Sequence, residues 1–529
     1  MADGSSAQQA TPWRPRANPW LIAVVVALAA FMEVLDTSIA NVALPHIAGS
    51  LSATSEQSTW ILTSYLVSNA IVLPISGWLV SLIGRKRFFL ICLSIFTVSS
   101  LLCGIAPSLS TIILFRVLQG AGGGGLQPMA QAILADTFPP QQRGLAFALF
   151  GITVVVAPIL GPTLGGWITD NYTWRWIFLI NLPVGILASL LIFRLVEDPP
   201  WEKRTVSGFR IDYVGMGLLV VGVGALQIML DKGQELDWFS SQFIVTLAVL
   251  AAVGLVTLVL WEWFHKEPII DVHLFRNFNF LGANVMMFMA GIMFFSSLVI
   301  MPQFLQLLMG YTAQSAGLVL SLGGVLLLGV MPMVGILTSK FEARYIIATG
   351  WLITSASLFY SAQHLDLEIS FWTASMLRVL QVAGLPLLFV PIIVVSYVGL
   401  PQQKSNNIAG LVSFMRNIGS SIGTSLVTTF VARQAQFHQV TLAAHTTNGD
   451  PAFTQAATAL SARLAAAGVE PSLATSQAYG RLYQSLIAQS TALAYIDMFW
   501  LLSLSAAIMF PLCFLLRRNV PRGGTVAVH

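Results

Sequence analysis

The chain has 529 residues, of which 56% are hydrophobic and only 9% are charged, and its formal net charge is +4. Soluble domains carry about 25% charged residues, so the composition excludes a soluble protein and indicates one that crosses a membrane many times. The small positive charge gives little support for nucleic-acid binding. The three cysteines, Cys92, Cys103 and Cys513, lie in apolar segments without metal-ligand spacing, so we expect neither a metal site nor a disulfide framework.

Fourteen segments are apolar over roughly the 20 residues that a membrane-spanning helix needs. In chain order they are residues 20–45, 57–80, 88–106, 109–133, 145–169, 175–196, 212–231, 240–263, 280–303, 313–336, 345–362, 371–398, 408–432 and 494–516. We expect the first to be an uncleaved span rather than a signal peptide, because two acids interrupt it and no convincing cleavage site follows. The sequence therefore predicts an all-α polytopic membrane protein with fourteen transmembrane helices.

The basic residues predict the orientation of these spans. With the N-terminus in the cytoplasm, eighteen of the 26 Lys and Arg residues fall in cytoplasmic segments, including the groups at 85–87, 203–210 and 517–518, and five fall outside. Lys and Arg are enriched in cytoplasmic loops, so we expect both termini in the cytoplasm. The remaining three, Arg116, Arg378 and Arg416, lie within spans.

Two acidic residues, Glu33 and Asp36, lie near the centre of the first span, three residues apart and therefore on one face of its helix. An acid at this depth costs about 2.5–3.5 kcal/mol on insertion scales, which makes it a candidate functional residue. Glu33 could be a second proton site, a contact for cationic compounds or a satisfied interior acid. Asp36 could exchange protons or act as the structural partner of a buried arginine.

Arg116 is the candidate partner of Asp36. It lies in the outer half of the fourth span, near the depth expected for Asp36, and a buried arginine without a partner is costly. Competition between a proton and Arg116 for Asp36 would act as a switch, and Gln119 could share the same polar network. The glycine run at 122–125 lacks the lysine and hydroxyl residue of a nucleotide-binding loop.

The fifth span combines glycines and prolines. Gly161 and Gly165 have the spacing of small residues that lets helices approach closely, and Pro158 and Pro162 can bend the helix. The pattern can thin the interface between the halves of the chain, and plain close packing explains it.

The ninth span is rich in Met and Phe, whose deformable and flat side chains suit promiscuous binding of apolar ligands. Lipid-facing or core packing is the alternative for the same residues. The candidates for lining a substrate cavity, from this span and from polar positions elsewhere, are Met286, Met293, Phe294, Asn41, Asn69, Gln119, Gln303 and Gln306.

A weak internal repeat relates the two ends of the chain. Arg116-Val-Leu-Gln119 recurs as Arg378-Val-Leu-Gln381, and similar glycine patterns recur in the fifth and thirteenth spans. The shift of eight spans fits two six-helix halves separated by two extra helices, with substrate bound near the midplane between the halves. Arg378 is then expected to be a structural polar anchor.

These features divide the chain into five parts and one long insertion. We expect a cytoplasmic tail at 1–19, an N-terminal bundle at 20–196, a linker with two extra spans at 197–279, a C-terminal bundle at 280–516 and a tail at 517–529. The insertion, residues 433–493, is too polar to enter the membrane. We expect helices in it around 453–467 and 476–490, and a role in capping the outer face or contacting a partner.

Five motifs resemble those of the major facilitator superfamily and, within it, the 14-helix drug:proton antiporter-2 family. They are Leu35-Asp-Thr-Ser-Ile-Ala-Asn-Val-Ala-Leu-Pro45, Gly77-Trp-Leu-Val-Ser-Leu-Ile-Gly-Arg-Lys-Arg87, Arg116-x-x-Gln119-Gly120, the run from Gly151 through Ala157-Pro158 to Gly161-Pro162-x-x-Gly165-Gly166, and Trp174-Arg-Trp-Ile-Phe-x-Ile-Asn-Leu-Pro183. The chain resembles the EmrB-type inner-membrane components of tripartite multidrug efflux pumps.

This resemblance implies export of hydrophobic or amphipathic drugs, driven by the proton gradient without a cofactor and coupled through Asp36. It implies a membrane-fusion adaptor of the EmrA type and an outer-membrane channel of the TolC type as partners. It also implies a location in the bacterial inner membrane, a latch containing Gly77, Gly84 and Arg85 that closes the cytoplasmic side, and gating against leaks by the glycines and prolines of the fifth span. Ser81 stands where many relatives carry Asp, and Asp136 could supply the missing acid.

Two other functions stay open. The chain could be a proton-coupled importer, or a narrow-substrate exporter, of a small metabolite, although the Gly–Pro pattern of the fifth span favours antiport. It could also be a non-transporting membrane receptor, although the buried carboxylates favour transport. We expect no enzyme, because no cluster of His, Asp or Cys lies at one membrane face. No cytoplasmic segment is long enough for an ATPase domain, so the energy must come from an ion gradient.

Overall fold

A computed structural model describes residues 15–200, 212–444, 446, 447 and 450–517, and this part of the chain is helical without any strand. The predicted cytoplasmic residues at 203–210 and Arg518 lie outside it. The helices are α1 Pro19–Ser50, α2 Ser55–Ile83, α3 Arg85–Gly104, α4 Leu109–Gly123, α5 Leu126–Thr137, α6 Pro140–Asn171, α7 Trp176–Leu179, α8 Asn181–Leu195, α9 Tyr213–Lys232, α10 Gln242–Phe264, α11 Phe278–Leu307, α12 Ala313–Lys340, α13 Ala343–His364, α14 Phe371–Ala383, α15 Leu385–Ser396, α16 Ser405–Ala443, α17 Pro451–Ala466 and α18 Pro471–Leu512.

Local sequence signals explain where several helices begin and end. Thr54 and Gln57 form a reciprocal capping box at the start of α2, which satisfies backbone N–H groups that have no partner inside the helix. Ser108 and Thr111 do the same for α4. Gly84 separates α2 from α3 with a φ of 87°, a left-handed conformation that glycine adopts without steric cost. The chain therefore reverses direction between these two helices in a single residue.

Twelve helical segments in the described part of the chain are long and apolar enough to cross a membrane, when α7 with α8 and α14 with α15 are each counted as one segment. The predicted fourth and thirteenth spans are also helical but fall outside this set. The fourth is interrupted at Gly124 and Gly125 and forms the two shorter helices α4 and α5 instead of one. The thirteenth lies in α16, whose sequence is rich in Ser, Thr, Asn and Gln. The predicted sixth span is divided as well, between α7 and α8 at Ile180.

The packing of the helices repeats between the two ends of the chain. In the N-terminal part α1 packs on α6, α2 on α4, and α3 on α8; in the C-terminal part α11 packs on α16, α12 on α14, and α13 on α18. Each pair matches its counterpart after the insertion of α9 and α10, which agrees with the shift of eight spans. The two halves meet mainly where α6 packs on α12 and α2 packs on α16.

The two extra helices form a hairpin at the side of the bundle. They approach closely at Gly222 and Gly254, where a Cβ atom added to Gly254 would lie 2.9 Å from the Gly222 Cα. Helix α9 then packs on α2 and also touches α16, so the hairpin contacts both halves. Glycines at this crossing let the two backbones pack without intervening side chains.

The polar insertion extends two of the C-terminal helices beyond the bundle. Helices α16 and α18 have 39 and 42 residues, so each is about 60 Å long at 1.5 Å per residue. This is about twice the 30 Å thickness of the hydrocarbon core of a bilayer. The expected helices of the insertion are present as α17 and the first part of α18, which pack on each other. We call this the insert end of the molecule.

The opposite end is closed by direct contact between the halves. We call it the terminal end and define it by Arg85, Asp136, Gly335 and Ser405; the sequence predicts that it faces the cytoplasm. A Cβ atom on Gly335 would lie 2.8 Å from the Gly144 carbonyl oxygen, and one on Gly77 would lie 2.8 Å from the Asn407 Cα. Close backbone contacts of this kind hold α6 against α12 and α2 against α16.

A larger side chain at Gly335 should prevent this closure. We expect Gly335→Val to separate α6 from α12 at the terminal end, because the added atoms meet backbone that cannot yield, and overpacking typically costs about 1–3 kcal/mol. The measurement is the distance between spin labels at Gln141 and Gln402, which are exposed on opposite halves. Gly329→Val on the same helix is the control, because a Cβ there meets nothing within 4 Å. Equal distances in both variants would contradict the prediction.

Candidate functional site

Asp36 lies on α1 at the centre of a buried polar cluster and is only 2% exposed. Its Oδ2 accepts a hydrogen bond of 2.6 Å from Arg116 Nη1, which completes a buried ion pair. Its Oδ1 accepts from Gln119 Nε2 at 3.0 Å and from Asn181 Nδ2 at 2.6 Å. The predicted pairing of Asp36 with Arg116, and the place of Gln119 in the network, are therefore confirmed as contacts.

The guanidinium of Arg116 is enclosed on all sides. Its Nε donates to the Ile61 carbonyl oxygen at 3.1 Å, and its Nη1 donates also to Gln119 Oε1 at 2.8 Å. The guanidinium carbon lies over the ring of Tyr65 at 4.2 Å and faces the ring of Phe178 at 5.6 Å. Arg116 is 0% exposed, so Asp36 is what balances its charge in this apolar interior.

Glu33 forms a second polar cluster one helical turn from Asp36. Its Oε1 accepts hydrogen bonds from the Tyr65 hydroxyl at 3.1 Å and from Asn69 Nδ2 at 3.0 Å. Its Oε2 accepts from Gln127 Nε2, and Gln127 Oε1 accepts in turn from Arg416 Nη2 on α16. Glu33 is thus tied to α2, to α5 and, through one amide, to the other half of the molecule.

Tyr65 joins the two clusters. Its ring stacks against the Arg116 guanidinium, while its hydroxyl donates to Glu33. The glycine run makes this arrangement possible: a Cβ atom on Gly123 would lie 3.3 Å from Glu33 Cγ and 3.2 Å from Asn69 Nδ2. The absence of side chains at residues 122–125 therefore lets neighbouring helices pack closely in the interior of the N-terminal half.

Four residues of these clusters were not among the predicted site residues: Tyr65, Gln127, Asn181 and Arg416. Asn181 lies within the Trp174–Pro183 motif, and Arg416 was recognisable as an arginine inside a span. Tyr65 and Gln127 carry no comparable signal, because a single tyrosine or glutamine in an apolar helix is common. Asn69, one of the predicted cavity residues, donates to Glu33.

The glycines and prolines of the predicted fifth span position α1. They lie on α6, where Gly161 faces Ser38 and Gly165 faces Ile39. A Cβ atom on Gly165 would lie 3.2 Å from the Ile39 carbonyl oxygen. The Ser38 hydroxyl donates to the Pro158 carbonyl oxygen at 3.0 Å. This carbonyl is available because Pro162, four residues further on, has no N–H to donate to it. Close packing on α6 thus fixes the helix that carries Asp36.

The residues of the expected latch lie in contact at the terminal end. Arg85 Nη2 donates to Asp136 Oδ2 at 2.7 Å, and both side chains are buried. Asp136 Oδ1 accepts from the Ser405 hydroxyl at 2.8 Å, across the contact between the halves. Asp136 therefore contacts Arg85, whereas the Ser81 hydroxyl donates to the Trp78 carbonyl oxygen; that Asp136 replaces the acid missing at Ser81 stays a prediction.

Arg378, the repeat counterpart of Arg116, has a different environment. Its Nη1 donates to the Ser297 carbonyl oxygen at 3.2 Å and to the Ser297 hydroxyl at 3.1 Å, with Gln381 Oε1 at 3.5 Å. Among the described residues it makes no ion pair. These neutral contacts agree with the expected structural anchor.

The remaining predicted cavity residues are spread over different environments. Met286, Met293 and Phe294 are buried in the core of the C-terminal half, where Phe294 packs edge-on against Phe389 at 5.9 Å. Asn41 and Gln306 are exposed and Gln303 is half-buried. An open groove of about 320 Å³ between α2, α4 and α9 is lined by other residues, among them Trp60, Val67, Ile71, Val117 and Ile228. A substrate role for any of these side chains stays a prediction.

Comparison with known proteins adds independent evidence. The sequence profile described as Major Facilitator Superfamily matches residues 26–424. The chain is 39% identical to the multidrug export protein EmrB of Haemophilus influenzae over 80% of this chain and 83% of that protein. It is 35% identical to the fatty acid resistance protein FarB of Neisseria gonorrhoeae over 97% and 99%. The fold is similar to that of the proton:xylose symporter XylE, with a TM-score of 0.58 and 12% identity, covering 95% of this chain and 97% of that one.

The contribution of the buried ion pair can be measured with a double-mutant cycle. We expect Arg116→Gln to lower the free energy of unfolding by about 3–5 kcal/mol, because Asp36 is left as a buried charge without its counter-charge. Adding Asp36→Asn should restore most of that loss, as measured by the unfolding midpoint of the detergent-purified protein. Arg378→Gln is the control, and Asp36→Asn should not rescue it. Additive effects of Arg116→Gln and Asp36→Asn would show that the pair is not coupled.

The terminal-end latch allows a separate test. Asp136→Asn removes the charge that holds Arg85, whereas Ser405→Ala removes only the hydrogen bond between the halves, worth about 1 kcal/mol. We expect both variants to lengthen the mean distance between spin labels at Gln141 and Gln402, and Asp136→Asn to do so more. The prediction is wrong if neither variant changes the distance distribution.

Proposed function

Because the chain belongs to the major facilitator superfamily, we propose that it is a multidrug transporter that exports hydrophobic and amphipathic compounds in exchange for protons. The names of its relatives support the first part: one is a multidrug export protein and another is a fatty acid resistance protein. Both names describe the removal of compounds with large apolar parts. The second part, proton exchange, rests on the chemistry of the buried acids.

The observation that supports proton exchange is the Asp36–Arg116 pair with its three donors. A carboxylate that accepts from Arg116, Gln119 and Asn181 is satisfied only while it is ionised. When a proton binds to Asp36, the carboxyl group becomes a donor at one oxygen and loses its charge attraction for the guanidinium. Protonation therefore changes the same contacts that hold α1, α4 and α8 together.

This change supplies a cycle for antiport. Asp36 takes a proton from the outer side, its attraction for Arg116 weakens, and the helices rearrange toward the state that releases drug. Loss of the proton to the cytoplasm restores the pair. Glu33, whose carboxylate also accepts three hydrogen bonds, is the second acid of the site. The proton gradient is then the only energy source, with Arg116 as the internal competitor of the proton.

We place the protein in the bacterial inner membrane with both termini in the cytoplasm, so that the insert end lies in the periplasm. Its helices carry exposed apolar side chains far from the bundle, including Phe437, Val440 and Tyr483. An adaptor of the EmrA type, leading to an outer-membrane channel of the TolC type, is the partner proposed for this end. The proposal is supported by the length of α16 and α18 and by the resemblance to EmrB-type proteins.

Drug efflux from proteoliposomes under an imposed pH gradient tests the function. We expect the wild type to export hydrophobic compounds only when the gradient is present, and Asp36→Asn to bind drug but lose gradient-driven export, because an amide cannot exchange the proton. Glu33→Gln shows whether the second acid is also required. Asp366→Asn, the same acid-to-amide change at an exposed residue outside both acid clusters, is the matched control.

Two results would contradict the proposal. Normal gradient-driven export by Asp36→Asn would show that another group carries the proton. Uptake of a small metabolite without export of any hydrophobic compound would identify an importer of the same fold.

A further inference from the structure

One hydrogen-bonded chain in the interior connects the acids of the N-terminal half to the C-terminal half. Gln127 on α5 donates from Nε2 to Glu33 Oε2 on α1 and accepts at Oε1 from Arg416 Nη2 on α16. Glu33 is 4% exposed and Arg416 is 5% exposed. A buried acid and a buried arginine, one in each half, are thus linked through a single neutral amide.

Among the described residues, the Asp36 cluster has no such connection. The side chains that donate to Asp36 come from α4 and α8, and the carbonyl that receives Arg116 Nε belongs to α2, so all of them lie in the N-terminal half. A proton on Asp36 can therefore rearrange one half but has no direct contact by which the other half would respond. The chain from Glu33 through Gln127 to Arg416 does cross the boundary.

The orientation of the Gln127 amide makes this chain sensitive to the charge on Glu33. An ionised carboxylate only accepts hydrogen bonds, so it requires the NH₂ group of Gln127, and this leaves the carbonyl oxygen facing Arg416. Arginine only donates, so it requires that oxygen. Both ends are satisfied by one amide orientation, and only while Glu33 Oε2 carries no proton.

We propose that Arg416 is a second coupling residue of the transport cycle, a positioning residue through which the ionisation of Glu33 holds α16 of the C-terminal half against α5 of the N-terminal half. The inference rests on the proposed proton antiport. One proton passes from a hydronium ion to Glu33 Oε2, so that an O–H bond of the hydronium ion breaks, water leaves and an O–H bond forms at Oε2. The new donor faces the Gln127 NH₂ group, and the amide turns to offer its oxygen to Glu33. Its NH₂ group then faces the guanidinium of Arg416, so that two donors oppose each other. The contact between α5 and α16 through Gln127 is lost.

The other charged groups around Glu33 do not offer a competing route. Tyr65 on α2 donates to the other carboxylate oxygen, Oε1, and keeps that contact in both protonation states. Asp36 on the same helix is paired with Arg116 of α4. The charged residues of the remaining neighbours α5, α6 and α8 lie near helix ends: Asp136, Arg143, Asp170 and Arg194.

A neighbouring contact provides a matched comparison. Gln131, one turn further along α5, donates to the Ser413 hydroxyl on α16 at 3.0 Å. It joins the same two helices through the same kind of side chain, but neither partner titrates. Replacing Gln131 should weaken the contact between α5 and α16 equally at all pH values, whereas replacing Gln127 should remove its dependence on pH.

The test measures the contact between the halves in the purified protein without substrate. Spin labels at Gln141 and Gln402 report the distance across the terminal end as the pH is lowered, in an Asp136→Asn background so that the acid that contacts Ser405 there does not titrate. We expect this background to shift toward longer distances at low pH. Gln127→Leu, Arg416→Gln and Glu33→Gln should lose this shift, while Gln131→Leu should retain it. Arg416→Lys, which keeps the charge and a donor, should retain part of it.

The outcomes separate this inference from the proposed function. A pH-dependent shift that persists in Gln127→Leu and Arg416→Gln would overturn the coupling role of Arg416, and so would its absence from the Asp136→Asn background. Because the distances are measured without drug, a failure of multidrug export in proteoliposomes would leave this result intact. In the proteoliposome assay, Gln127→Leu should lose the gradient-driven component of efflux and retain drug binding, and the thermal midpoint shows whether each variant is folded.

Discussion

A charge buried in an apolar interior must be balanced by an opposite charge and by hydrogen bonds, and the N-terminal half is organised around this constraint. The guanidinium of Arg116 is fully enclosed, and Asp36 neutralises it at 2.6 Å. Gln119 and Asn181 occupy the remaining acceptor sites of the carboxylate. To bring these groups together, α1, α4 and α8 must approach one another at the same depth in the bundle. The packing of these helices and the balance of the buried charges therefore depend on each other.

The glycines and prolines make that crossing possible. Without side chains at Gly161 and Gly165, α1 lies directly on α6, and the interrupted backbone at Pro158 accepts the Ser38 hydroxyl. At the terminal end Gly144 and Gly335 bring the two halves together in the same way. The close packing at these glycines would also suit gating. Backbones that meet without side chains between them can come together and separate as rigid surfaces.

The two acids of α1 differ in which halves of the molecule their hydrogen-bonded contacts join. Asp36 is confined to its own half, whereas Glu33 is linked through Gln127 to Arg416 in the other. Tyr65 touches both clusters, with its ring on Arg116 and its hydroxyl on Glu33. A transporter that couples protons to the movement of two halves needs a group that changes charge and a contact that crosses the boundary. The arrangement provides both within a few helical turns.

The sequence by itself determined the fold class and indicated the Asp36–Arg116 pair. Apolar length and the cost of a buried charge are local properties of a segment, and few charged residues in the spans leave few possible partners. It did not determine the breaks at Gly125 and Ile180, nor the partners of Glu33. Gln127 and Arg416 are 289 residues apart, and a neutral amide carries no signal of its own. Only the tertiary structure decides which helices face each other and how each is rotated, and therefore which polar side chains meet.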